Sequence, residues 1–211
     1  MLRGITLIVA LSFSGCGGAG HVETPTVGPA PSDTTAANFG EDEHDWGKFH
    51  SKRFALSVPL PDARAWKVND HSRPELVGTH EKTRSSLVVY RFDAPELMNR
   101  QRCEEKAREL GLVPGGELHA VDDEVTVGPE AYDTRVLVEI HVGKNERAPI
   151  TGHVLAFGAY IRKCLFVHFT SEVLSAKDES VLSARLATFR TRVLDRITLD
   201  AFDDVPREKE R

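Results

Sequence analysis

No stretch of this chain stays apolar for the roughly twenty residues that a helix needs to cross a bilayer. Basic residues show no surplus either: 27 Lys and Arg face 32 Asp and Glu, for a net charge of −5. No basic stripe with interleaved aromatics is present, which argues against nucleic acid as a partner. Cysteine is scarce, at three residues, and no two stand as C-x-x-C, which excludes a thioredoxin-like redox pair. The G-x-S-x-G nucleophile elbow and the P-loop are both missing. No internal repeat is found.

What the chain does have begins at its N-terminus. Arg3 is followed by the short apolar run Ile5 to Phe13 and then by small residues, "SGCGG" at 14–18. A positive start, a brief apolar core and small residues have the order of a secretory signal. Gly15, Gly17, Gly18 and Gly20 would end a buried core helix at once. "FSGC" at 13–16 resembles the lipobox of bacterial lipoproteins, with Phe13 where Leu is usual. The resemblance implies that residues 1–15 are removed, that the Cys16 thiol carries a diacylglyceryl group, and that the protein is held on a membrane. Two acyl chains anchor stably where one does not. Gly17 stands where an Asp commonly retains such proteins in the inner membrane, so the resemblance implies an outer-membrane location facing the periplasm. Gly15, Gly17 and Gly20 also fit G-x-G-x-x-G, but no strand precedes them and no helix follows, as dinucleotide binding requires.

Residues 16–45 are rich in Gly, Pro, Ala, Thr and acids and poor in large apolar residues. Such a composition cannot offset the entropy of ordering and predicts a disordered tether, with an r.m.s. span of roughly 30 Å as a coil. "EDEHD" at 41–45 invites a metal-site reading around His44, but it reads more simply as the solvated acidic end of that tether. Residues 46–200, about 155 in number, are enough for one domain. Residues 201–211 form a charged flexible tail.

Within the domain, alternation predicts strands over "FALSVPL" (54–60), "WKVN" (66–69), "ELVGTHE" (75–81) and "SSLVVYRF" (85–92), the last two as a hairpin. Ala94-Pro95 opens a helix that runs to Leu110 and stops at Gly111. Strand-like segments follow at 116–127, 132–142, 151–160 and 161–171. Leu182, Leu186, Phe189, Val193 and Ile197 recur at spacings of four, three, four and four, which predicts one apolar face of a C-terminal helix over about 178–196. Connections this short between strands exclude parallel crossovers. The expected fold is α+β: a mainly antiparallel sheet with a central and a C-terminal helix packed on it. This order over residues 54–197 resembles the PsbP-like fold, named for an extrinsic subunit of photosystem II and shared with Mog-type Ran-binding proteins. The resemblance implies a binding or assembly module; no functional residue is carried over from it.

Candidate catalytic residues are few. "HEKTR" at 80–84 begins like a zinc-protease HExxH but has Arg84 where the second His belongs, and it reads as a strand end and turn. His141 shares a strand face with Glu139 and Arg135, so it reads as a solvated residue. His153 alternates with Leu155 and Phe157, and His168 with Phe166, so both can point inward as core residues. If their strands pair, His153 and His168 approach each other as half a metal site. Helix residues Arg100, Glu104 and Arg108 read as a solvated face of i,i+4 pairs.

Export places Cys103 and Cys164 in an oxidising compartment, with Cys16 accounted for by lipidation, and predicts a disulfide between them. Cys103 shares a helix face with Ala107 and Leu110, and Cys164 a strand face with Phe166 and His168. No cofactor and no catalytic or metal-binding set is assigned. The functional expectation is a membrane-anchored, non-catalytic binding or assembly module of the cell envelope with a protein partner there. The alternative is a surface-anchored hydrolase or metal-dependent enzyme whose site only the fold assembles.

Overall fold

The computed structural model describes residues 37–40, 42–115, 120–122, 127, 132–142 and 148–200. The expectations for residues 1–36, Cys16 among them, and for the tail 201–211 lie outside the described residues. Strand β1 is Gly47–Ser51, β2 Leu56–Leu60, β3 Trp66–Asn69, β4 Leu76–His80 and β5 Ser85–Asp93. Helix α1 spans Arg100–Glu109, followed by β6 (Ala120–Asp122), β7 (Asp133–His141), β8 (Ile150–Tyr160) and β9 (Lys163–Val173). Helix α2 (Glu179–Thr188) and β10 (Thr198–Leu199) close the domain.

The fold is α+β, and every strand pair is antiparallel. The strands divide into a three-stranded sheet, β1-β2-β10, and a seven-stranded sheet, β3-β4-β5-β9-β8-β7-β6. Two helices on opposite faces of the larger sheet explain its burial pattern. In β8, Ile150, Val154 and Ala156 point to one core, while Leu155, Phe157 and Ala159 point to another. The first core also takes in α2 and β2. The second lies under Cys103 and Ala107 of α1. Strand β8 is therefore apolar on both faces, because both faces are covered.

Helix α2 carries the apolar face that its spacing predicts. Leu182, Leu186, Phe189, Val193 and Ile197 are all buried. Past Thr188 the chain widens into a π-turn over Phe189–Val193, which brings Leu194 to the core beside Val193. Gly152 of β8 lets this helix approach, since a Cβ there would stand 2.6 Å from Leu186 Cδ1.

Helix α1 starts later than Ala94-Pro95 suggests. Asn99 is its N-cap and accepts from the Arg102 amide at 2.8 Å. Residues 94–98 are instead tied to the β8–β9 turn, with the Ala94 amide donating to the Arg162 carbonyl and Met98 to Ile161. The predicted stop is at Gly111, whose φ of +69° completes a Schellman ending: Gly111 donates to Arg108 and Leu112 to Ala107. Leu110 is exposed, so it does not share the buried face of Cys103 and Ala107 as expected.

The same β8–β9 turn holds the β-branched Ile161 at a φ of +51°. Glycine is the usual residue where a two-residue hairpin turn needs positive φ at its first position. The Ile161 side chain is exposed and leaves little packing to lose. Ile161→Gly is expected to raise the unfolding free energy by about 1 kcal/mol, read from the urea midpoint; a lowered midpoint would show that the turn is unstrained.

The domain does not begin at Trp46. Phe39 is 2% exposed and meets Phe169 and His80 edge-on, with ring centroids 6.0 Å apart in both cases. The Gly40 carbonyl accepts from Trp46 Nε1 and Arg192 Nη1. The tether expected over 16–45 therefore gives way to packed structure before residue 39. One aromatic in an otherwise small and polar stretch suffices when a hydrophobic socket awaits it. Residues 43–45 form an exposed single turn, as the solvated reading of "EDEHD" requires.

Candidate functional site

Strands β7, β8 and β9 lie side by side, and their register sets the geometry of one polar cluster. Glu139 pairs with His153, and His153 in turn with Thr170. His141 and His168 stand two residues away on the flanking strands, on either side of His153. The three imidazoles thus form a diagonal stripe on the face that α1 covers further along. Adjacent ring centroids are 5.2 Å apart in both steps, His141 to His153 and His153 to His168.

The contacts within the stripe are short. His153 Nδ1 lies 3.0 Å from His168 Nε2, and Thr170 Oγ1 lies 3.3 Å from the former and 3.0 Å from the latter. Two facing ring nitrogens at this distance share one proton; both cannot carry one. His141 Nε2 stands 3.2 Å from Glu139 Oε2. Glu139 is 6% exposed, and its Oε2 accepts no hydrogen bond of good geometry despite that proximity. His141 is exposed, as its solvated reading expects, but its neighbours on that face are buried or paired. Glu139 is buried, and Arg135 pairs with Glu104 of α1 at 2.9 Å, while His141 remains 44% exposed. Glu104 also holds Arg108 at 2.8 Å, whereas Arg100 turns to Asp133 at 3.6 Å instead of to Glu104.

Burial and mutual repulsion disfavour protonation of His153 and His168. Desolvation first, then His153, pushes the His168 imidazole down to about 4. Desolvation and then His141 lower His153, against the opposing pull of Glu139. An imidazole depressed from 6.5 to about 4 leaves stability untouched above 6.5, where folded and unfolded states are both neutral. Between 6.5 and about 4 the unfolded chain takes up a proton that the folded one refuses, so stability falls as pH falls. Acidification from pH 7 to pH 4 is expected to cost about 2 kcal/mol at this site, allowing for a ring that solvent still reaches. Urea titrations across that range check it. The loss should shrink in His168→Asn, and an unchanged slope in that variant would contradict the assignment.

The other candidate residues fall elsewhere. His80 ends β4, fully buried, and accepts from the Thr83 amide at 3.3 Å, so "HEKTR" is a capped turn. Arg84 leaves that turn at a φ of +49° and pairs with Glu172 at 2.9 Å. A groove of about 380 Å³ lies beside α1, bordered by Phe92, Pro95, Met98, Arg102 and Lys106, and none of the described histidines lines it. Cys103 and Cys164 are joined by a disulfide, with Cα atoms 5.5 Å apart. Sequence reasoning brought His153 and His168 together but missed Glu139, Thr170 and His141 as their neighbours. The register of β7 against β8 was the missing signal.

No helix among the described residues is long and apolar enough to cross a membrane. No family model matches this sequence, and no curated protein does. A solved crystal structure from Bacteroides thetaiotaomicron VPI-5482 is similar at a TM-score of 0.42 and 12% identity, covering 72% of this chain and 47% of that one. This chain therefore spans less than half the length of that neighbour, and a likeness at this level assigns neither family nor activity.

Proposed function

We propose that this protein is an exported bacterial lipoprotein, anchored through Cys16 and facing the periplasm from the outer membrane. Its α+β domain serves there as a binding or assembly module for an envelope protein. The observation that carries the reading is the Cys103–Cys164 bridge, a structural link between α1 and β9. Such bridges persist in oxidising compartments and are rare in the reducing cytosol. The bridge agrees with the signal-like start and "FSGC" at 13–16, which point to export independently. The resemblance of the element order to that of PsbP-like modules favours a binding role. The groove beside α1, of mixed apolar and charged lining and free of histidine, agrees with it.

Membrane fractionation tests the proposal. The wild-type chain is expected in the outer-membrane fraction, and Cys16→Ser is expected to move to the soluble fraction. Wild-type protein in the soluble fraction contradicts the anchor. Crosslinking in intact envelopes then tests the role, where one reproducible partner supports a module. The second reading, a surface-anchored hydrolase or metal-dependent enzyme, is favoured by one observation: His153, His168 and the carboxylate of Glu139 lie on one face. A blank crosslinking result together with a turnover assay hit would favour that reading.

A further inference from the structure

We infer that the His153–His168 pair, with Thr170 and the nearby carboxylate of Glu139, binds one divalent cation of the late first row, of the kind that prefers imidazole nitrogen. The inference rests on neither functional reading above, since it requires no turnover and no anchor.

The geometry is the first argument. His153 Nδ1, His168 Nε2 and Thr170 Oγ1 form a triangle with sides of 3.0, 3.0 and 3.3 Å. A point about 2.1 Å from all three, the usual zinc–nitrogen distance, lies about 1 Å out of their plane. The three donors thus stand at separations close to those of one triangular face of a tetrahedral site. Two imidazoles on one tetrahedral ion have ring centres about 5 Å apart. His153 and His168 stand at that spacing, 5.2 Å, while His141 lies on the far side of His153 and outside the ion's reach. Among the described residues, no three His, Cys, Asp or Glu donors yet converge on one point. The third donor in place is the Thr170 hydroxyl.

Charge is the second argument. Glu139 is a buried carboxylate directly across from His153, and its Oε2 has no hydrogen bond of good geometry. A buried acceptor left unpaired is costly. A cation at the His153–His168 pair would offset that cost in a way that two neutral rings do not. Among the described residues, the other charged groups near this face are the Arg84–Glu172 pair in the next row and Arg135, which is taken up by Glu104. Neither adds a free positive charge against the ion. The softness of the set, two imidazoles and one hydroxyl with a carboxylate nearby, suits Zn²⁺, Ni²⁺ or Cu²⁺ over Mg²⁺ or Ca²⁺.

Equilibrium dialysis of the full chain against zinc chloride, and in parallel against magnesium chloride, tests this. One equivalent of zinc is expected to bind, and no magnesium. His153→Asn and His168→Asn are each expected to weaken zinc binding about tenfold or more. His71→Asn, at a ring 88% exposed and away from the stripe, is expected to leave it unchanged. Equal affinity in the wild type and both stripe variants would overturn the inference, as would zinc bound only through His71 or the other surface histidines. Because a variant can misfold, imidazole nitrogen NMR of the wild-type chain gives a second reading. Zinc is expected to shift His153 Nδ1 and His168 Nε2 at one equivalent, and shifts confined to other histidines would overturn the assignment. Cu²⁺ in place of Zn²⁺ is expected to bind tighter, by the ordinary order of affinity for nitrogen sites.

Discussion

Replacing Cys103 and Cys164 together by alanine lowers the unfolding free energy by about 4 kcal/mol, the chain-entropy value for the 61-residue separation that the bridge closes. That is a large share of what a domain of this size retains. The loss is expected to be local first. Helix α1 has ten residues, too few to persist unsupported. Cys103 and Ala107 are its buried residues, so the bridge is a main attachment to the sheet. Urea unfolding of the wild type under oxidising and reducing conditions, beside the double variant, measures the effect. Hydrogen exchange should show α1 opening before β8 and β9 in the reduced protein. A double variant within 1 kcal/mol of the oxidised wild type would show that packing alone holds α1 in place.

Phe39→Ala is expected to cost about 4 kcal/mol, in the range for a fully buried aromatic cut to a methyl group. Its ring fills a socket between Phe169 and His80. A chain that begins at Trp46 should lose more than a chain that begins at Thr35. The shorter chain also lacks the Ala37 carbonyl, which accepts from Nη2 of the fully buried Arg185. That guanidinium otherwise relies on the Thr83 carbonyl, Ser171 Oγ and the Glu172 carbonyl, at 2.9, 3.1 and 3.2 Å. A buried cation stripped of an acceptor is strongly destabilising. Denaturant midpoints of the two chains check the expectation. Equal midpoints would mean that residues 35–45 contribute nothing to the fold.

Where the sequence was legible, one physical rule acted alone. The apolar repeat from Leu182 to Ile197 reports a helix face with nothing competing against it. The β4–β5 hairpin is marked by alternation on both sides of a polar turn. The cysteine pairing followed from counting and compartment, and the bridge is present. Where it was not legible, the deciding contact lies far away in the chain. Strand β1 is half exposed and carries Lys48 and His50, so its pattern is weak, and only pairing with β2 makes it a strand. Phe39 is one ring in a polar stretch, and its socket is built by residues 41 and 130 positions later. Asn99 outcompetes Pro95 as a helix start because the β8–β9 turn claims the amides of residues 94 and 98. The histidine stripe needed the β7–β8–β9 register, which no single segment contains.

Export and lipid anchoring at Cys16 are the centre of the proposed role, and mass spectrometry of the N-terminal peptide of membrane-extracted protein tests them most directly. The predicted result is a mature chain that begins at Cys16 with a diacylglyceryl thioether on its sulfur. A peptide that retains Met1, or one that bears an unmodified Cys16 thiol, would contradict it.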